Sequence, residues 1–273
     1  MSRPDLDRYR IAPGARVHLD QRATDEKPDF DKATGAAAAA KNLEALDALQ
    51  ERLYAEGEQA LLVVLQAMDG GGKDSTIQRV FGGMNPQGVL VHGFKSPTTE
   101  ELGHDFLWRV HARTPRHGQI TVFNRSHYED VLIVRVHEWA TPETIEQRYD
   151  HIAAFERLLA DARTRVVKVL LHVSKEYQLE QFRERLTEPE KHWKFNPGDL
   201  AERARWDDYQ SAFEVAIERT STEEAPWYVV PAEKKWYRDL VVSQIVREAL
   251  EAMDPQFPKP SFDPAAYPPD SLK

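Results

Sequence analysis

The run Leu61 to Thr76, LLVVLQAMDGGGKDST, carries an apolar stretch directly into a triple glycine and a lysine. No other segment restricts the possible folds of this chain so tightly. Leu61 to Gln66 is too short for an ordinary helix and does not alternate, so it predicts a strand covered on both faces at the centre of a parallel sheet. Gly70, Gly71 and Gly72 carry no Cβ and admit positive φ, which lets successive backbone N–H groups converge on an anion. A helix over Asp74 to Phe81 would aim its positive N-terminal end at the same point, and Lys73 adds a full charge. Strand, glycine turn, lysine and helix in that order are the layout of a phosphate-binding loop.

The loop departs from the G-x-x-x-x-G-K-[ST] pattern in two places. Ala67 stands at the first glycine, and Asp74 stands where a metal-binding hydroxyl is expected. Ser75 and Thr76 follow late, which leaves Asp69, inside the loop, as the candidate metal ligand. The bland alternative is a strand-to-helix turn with a surface lysine.

The 273 residues, 41% of them hydrophobic, suffice for one large α/β domain with appendages or two small ones, and one core is the simpler assumption. There is no cysteine, so disulfides, thiol nucleophiles and zinc-thiolate sites are excluded. No run approaches the ~18 apolar residues of a membrane span and no secretory leader is visible, so a cytoplasmic protein is expected. A net charge of −9 argues against nucleic acid or an anionic membrane as partner. A polyanionic substrate would therefore need a local cluster of cations within an acidic whole.

Residues 1–32 are charged, proline-containing and aperiodic and read as an N-terminal arm. Residues 33–258 read as a single domain, and 259–273 as a proline-rich tail. Helices are expected over Ala33 to Glu56, Thr99 to Val110, Pro142 to Asp161, Ser174 to Leu186 and Leu200 to Arg219, with a last one bearing Val242 to Met253. Strands are expected at Gly88 to Val91, Gln119 to Phe123, Val166 to Val173 and Trp227 to Val230. This alternation specifies an α/β fold, a parallel β-sheet with helices on both faces, whose ligand site lies beyond the carboxyl ends of the strands.

Three further loops then matter. After Phe123 stand Asn124 and Arg125; the first can orient a metal-bound water or bond a phosphate, the second can fork onto two phosphate oxygens, and a plain helix cap with a surface arginine is the alternative. His127 is read as a structural hydrogen-bonding residue rather than a base. Lys95 is a candidate second cation facing the phosphates, or a solvated loop lysine. Periodicity fails between Thr187 and Asp199, TEPEKHWKFNPGD, within a lid expected over about 183–205 that offers Arg183, Arg185, Lys191 and Lys194 as cations of a mobile lid, or of a merely solvated helix end. Gly70 to Ser75, with Asp74 included, complete the phosphate-binding candidates.

AMDGGGKDST, FKSPT, VFNRSHYEDVLIVRV, PEKHWKFNPGDL and APWYVVPAEKKWYRDL, in this order, resemble the polyphosphate kinase 2 family over about Leu43 to Pro258. The resemblance implies a P-loop kinase fold like that of thymidylate kinases, with a helical lid. It also implies reversible phosphoryl transfer between inorganic polyphosphate and nucleotides, with Mg2+ or Mn2+ as cofactor. It places the family's functional positions on Asp69, Lys73, Asn124, Arg125 and Arg185. Met68 departs from the usual arginine before the aspartate. Asn124 followed by SHYEDV resembles the class III subgroup, which phosphorylates both AMP and ADP. Adenine nucleotides, with guanine nucleotides left open, and a homo-oligomer, dimer or tetramer, are the implied partners. Whether Glu129 or Asp130 joins the metal shell stays open. An ATP-dependent nucleotide kinase of the thymidylate kinase type and an inactive P-loop binding module are the competing readings.

Overall fold

A computed structural model describes residues 3–268 and Asp270. Its six-stranded sheet comprises β1 (Arg10–Ile11), β2 (Ala60–Gln66), β3 (Val89–Gly93), β4 (Ile120–Asn124), β5 (Thr164–His172) and β6 (Trp227–Pro231), in the spatial order β1-β6-β5-β2-β4-β3. The pairs among β2 to β6 are parallel, whereas β1 adds to β6 antiparallel, with Arg10 opposite Tyr228. The expected all-parallel sheet is thus corrected to a mixed one. β2, apolar up to its last residue Gln66, is buried at every position between β5 and β4.

The helices are α1 (Lys32–Glu56), α2 (Lys73–Phe81), α3 (Thr99–Leu102), α4 (Trp108–His111), α5 (Ile133–Val136), α6 (Pro142–Asp161), α7 (Lys175–Thr187), α8 (Gly198–Ala204), α9 (Trp206–Thr220) and α10 (Lys235–Met253). Helix α10 packs on β5 and β6 together with α1 and α2, while α6 packs on β5 with α9 beside it. Leu46 and Leu53 bury the inner stripe of α1, and Gly57 ends that helix with φ 68°, a left-handed cap that glycine adopts without strain.

Three sequence expectations change. Thr99 to Val110 is two single turns rather than one helix. Thr98 and Glu101 form a capping box that starts α3, Gly103 ends it, and the Asp105 carboxylate then accepts the Leu107 N–H in a new turn. Leu200 to Arg219 breaks at Arg205, whose guanidinium donates to the Val136 carbonyl at 2.9 Å, and the break lets Trp206 and Tyr209 turn into the core. Residues 3–31 do not lie outside the domain as an arm. Leu6, Tyr9, Ile11, Val17, Leu19 and Phe30 are buried in the common core, because β1 extends the sheet and the Tyr9 hydroxyl meets that of Tyr237 at 2.9 Å. Among the described residues no helix is long and apolar enough to cross a membrane.

Candidate functional site

The carboxyl ends of β2, β3 and β4 open into a cleft of about 460 Å3 that α7, the 3-10 turn Pro189–Lys194 and the start of α10 wall in. Asp69, Gly70, Gly71, Gly72, Lys73, Asp74 and Ser75 line one side. Lys95 enters after β3, Asn124 and Arg125 after β4, and Arg185, Lys191 and Lys194 from α7 and the following turn. Seven Lys and Arg side chains face three carboxylates there, which concentrates positive charge inside a protein of net charge −9. Arg183 is the exception among the expected cations. It lies exposed on α7 and does not line the cleft, because at helical spacing the inward face passes through Gln181, Glu184 and Arg185 instead.

Gly70 and Gly72 adopt φ of 82° and 90°, turning the loop around the start of α2. At Gly72 a side chain would also collide with the Arg238 guanidinium. The hydroxyls of Ser75 and Thr76 donate back to the Gly72 carbonyl at 2.9 and 3.1 Å, so both brace the turn. Gly72→Ala is therefore expected to lower affinity for polyphosphate by ~100-fold or more, as a left-handed position and a close approach are both violated. Calorimetric titration with polyphosphate checks this, and affinity within a few-fold of wild type would show that the turn tolerates a Cβ.

Lys73 is buried at the first position of α2, and its Nζ donates to the Ala67 carbonyl at 2.9 Å. Burial, reinforced by the Arg125 charge, lowers its pKa to about 8 against the opposing pull of Asp69, Glu129 and Asp74. Arg125 holds φ 63°, a left-handed conformation unusual for a residue with a Cβ. Its guanidinium bonds Asp69 at 2.6 Å and reaches Glu129 at 3.5 Å. Asn124 donates to the Asp74 carboxylate at 2.6 Å, and that carboxylate sits in the favourable first turn of α2.

At the lid, Arg185 bonds Asp199 and the Lys194 carbonyl, both at 3.2 Å, with its charge over the Phe182 ring. Lys191 pairs with Glu184 and Glu188. The oxygen donors at the loop, with no histidine lining the cleft among the described residues, suit a hard cation such as Mg2+ or Mn2+. Asp69 would hold it.

Glu129 and Asp130 part company. Glu129 borders a smaller cavity beyond the Asp69–Arg125 pair, whereas Asp130 points away, 3.6 Å from Arg148. Burial pushes the Asp130 carboxyl up to about 6 despite Arg148 and Arg109. Between its ordinary 3.8 and 6 the folded protein thus holds a proton that the unfolded chain releases, so this group makes stability fall as pH rises across that window. Asp130→Asn is expected to gain ~1–2 kcal/mol at neutral pH, with the gain vanishing toward pH ~4. Urea unfolding at the two pH values measures it; a loss at neutral pH would mean that the Arg148 contact outweighs burial.

His127 is fully buried. Its Nε2 meets Glu156 at 3.2 Å, within a network where Lys168 bonds Glu156 at 2.5 Å and Tyr128 bonds both Glu156 and Thr220. This group ties the 3-10 turn His127–Val131, β5, α6 and α9 together and lies outside the cleft lining.

Sequence reasoning missed Lys235, Tyr177, Gln181, Glu184 and Arg238. Tyr177, Gln181, Glu184 and Arg185 recur at helical spacing along α7, a pattern that could have marked one face toward the cleft. Lys235 and Arg238 begin the helix after β6, the last of the carboxyl-end loops. Arg238 is 1% exposed, donates to Ser75 Oγ at 3.1 Å and pairs with Asp239, which backs the loop with a fixed cation.

A turn of glycines and converging cations at the carboxyl edge of such a sheet defines an α/β protein of kinase-like architecture, with its positive charge gathered where such sheets bind ligands. Comparison with known proteins narrows that class. The family described as Polyphosphate kinase 2 (PPK2) matches residues 29–258. An AMP/ADP-polyphosphate phosphotransferase of Meiothermus ruber is 51% identical over 257 residues, 93% of this chain and 96% of the relative. An ADP-polyphosphate phosphotransferase of Rhodopseudomonas palustris is 41% identical over 92% of this chain and 91% of its own. The crystal structure of polyphosphate kinase 2 from Arthrobacter aurescens TC1 superposes with a TM-score of 0.90 at 45% identity, covering 97% of each chain. The chain belongs to the polyphosphate kinase 2 family.

Proposed function

We propose that this chain is a metal-dependent phosphotransferase with a P-loop kinase fold, moving phosphoryl groups reversibly between inorganic polyphosphate and AMP or ADP, as the class III subgroup does. The carrying observation is the convergence of seven cations and the glycine turn on one cleft of an otherwise acidic protein. The names of the two relatives, one acting on AMP and ADP and one on ADP, support adenine nucleotides as acceptors.

The chemistry asks little of proton transfer. The acceptor is a phosphate oxygen that is already largely anionic near neutral pH, so no side-chain base is required. The obstacle is repulsion between two polyanions held in line. Lys73, Arg125, Arg185 and the loop N–H groups neutralise that charge, and Lys95, Lys191, Lys194 and Lys235 hold the donor chain against the cleft wall. Asn124 fixes Asp74 and the start of α2. A divalent ion at Asp69 would supply further neutralisation and orient phosphate oxygens.

The test incubates the full chain with Mg2+, long-chain polyphosphate and AMP, ADP, GMP or GDP separately, and resolves the nucleotides by chromatography. Formation of ADP and ATP from AMP, abolished by a chelator, is expected. Product from ADP alone would remove the subgroup assignment, and no product from any acceptor would remove the reading. ATP in place of polyphosphate separates this enzyme from an ordinary nucleotide kinase. Guanine acceptors are decided in the same reactions, and a dimer or tetramer, also part of this reading, by light scattering.

A further inference from the structure

We infer that Gln178 is a positioning residue that carries closure of the lid to Asp69; the inference rests on the phosphotransferase reading for Asp69 and its cation. Gln178 sits in the first turns of α7, 1% exposed, with both ends of its amide engaged. Nε2 donates to the Asp69 main-chain oxygen at 2.8 Å, and Oε1 accepts from Arg203 Nη1 at 3.1 Å. Arg203 belongs to lid helix α8 and also donates to the Lys175 carbonyl. One side chain therefore joins the lid to the loop through two consecutive hydrogen bonds.

The residue type follows from the task. A primary amide presents a donor and an acceptor on one rigid plane, so Arg203 on the oxygen obliges the nitrogen to face Asp69. Glutamate would set an oxygen against an oxygen, and leucine would leave the Asp69 carbonyl without this donor and Arg203 with only the Lys175 carbonyl. The bond to the Asp69 carbonyl fixes the peptide that leads into Gly70, whose φ of 82° lies where glycine is the softest joint of the loop. Helix α7 reinforces the hold, since Gln178 Cγ and Gln181 Cβ each lie 3.5 Å from where a Gly70 side chain would begin. The Asp69 carboxylate, 2.6 Å from Arg125, is aimed by that peptide. When α8 lifts, Arg203 leaves Oε1, the amide loses its orientation, and Asp69 loses its clamp. Two further lid anchors, Arg185 to Asp199 and Glu202 to His137 and Tyr209, hold α8 without reaching the loop by a hydrogen bond of their own.

The experiment uses the full-length protein with Gln178→Leu, Arg203→Leu and both together. Two quantities are read: backbone amide hydrogen exchange of the peptide spanning 67–73, and the Mg2+ concentration giving half-maximal turnover with polyphosphate and AMP. Each single change is expected to speed loop exchange and to raise the Mg2+ requirement roughly three- to tenfold, with the double variant no worse than Gln178→Leu alone. Additive effects, or an unchanged loop and Mg2+ requirement in Arg203→Leu, would overturn the relay. Arg203 is on the lid, so that variant decides the matter even where Gln178→Leu fails to fold. If the wild type transfers no phosphate, the phosphotransferase reading falls, while loop exchange still reports on the two hydrogen bonds.

Discussion

Lys73→Ala is expected to lose ~10³ or more in kcat while the protein stays folded. The two halves of that expectation have one source. Lys73 is buried at the head of α2 beside Arg125, and the same desolvation that sharpens its attraction for phosphate depresses its pKa to about 8. In the folded protein its charge is therefore held at a cost. Because the unfolded chain keeps that proton up to the ordinary 10.5, wild-type stability rises with pH between about 8 and 10.5, and the alanine variant lacks the rise. Activity moves the other way. The free enzyme loses the cation above pH ~8, so kcat/KM should fall on that limb. Rapid-quench turnover and urea unfolding across this pH range measure both. Wild-type-like turnover in the purified variant would remove Lys73 from the reaction.

Arg125 carries the second prediction, and here two substitutions say more than one. Arg125→Ala and Arg125→Gly both delete the guanidinium that meets Asp69 and Glu129, so both should lose ~10²–10³ or more in kcat. They differ in the backbone. With φ at 63°, alanine retains the left-handed strain that glycine lacks, so the glycine variant should be the more stable by ~1 kcal/mol. That order is the reverse of what the two residues show at an ordinary position. Equal stabilities would mean that the turn relaxes once the side chain is gone. The strain would then belong to the Asp69 contact rather than to the path of the chain.

Much of this site was legible because it is local in sequence. The glycine turn, Lys73 and the Asn124–Arg125 pair each follow a strand whose burial the apolar runs already announce, and the carboxyl-edge rule selects their loops. What was illegible depends on partners far along the chain. Arg238 looks like one more charge in a helix until Gly72 is seen to leave room for it. Arg183 and Arg185 are equally cationic on paper, and only the rotation of α7 decides that Arg185 enters the cleft. The first thirty residues were misjudged for the opposite reason. Their apolar residues are scattered without period, so nothing local predicts that Tyr9 and Ile11 dock beside residues more than two hundred positions later.

That docking also sets a timetable. Arg10 pairs with Tyr228, so β1, made before the five other strands described, is among the last of them to find its place. The loop that must close runs from Arg10 to Tyr228, most of the chain. Its entropy is met only when the far end has been synthesised. Until then the β6 edge of the sheet does not exist, and Tyr9, Ile11, Val17 and Leu19 must wait in water as exposed apolar groups. Deletion of β1 therefore acts on the closing step of folding, and its mark would be slow maturation and aggregation of nascent chains rather than a weakened cleft.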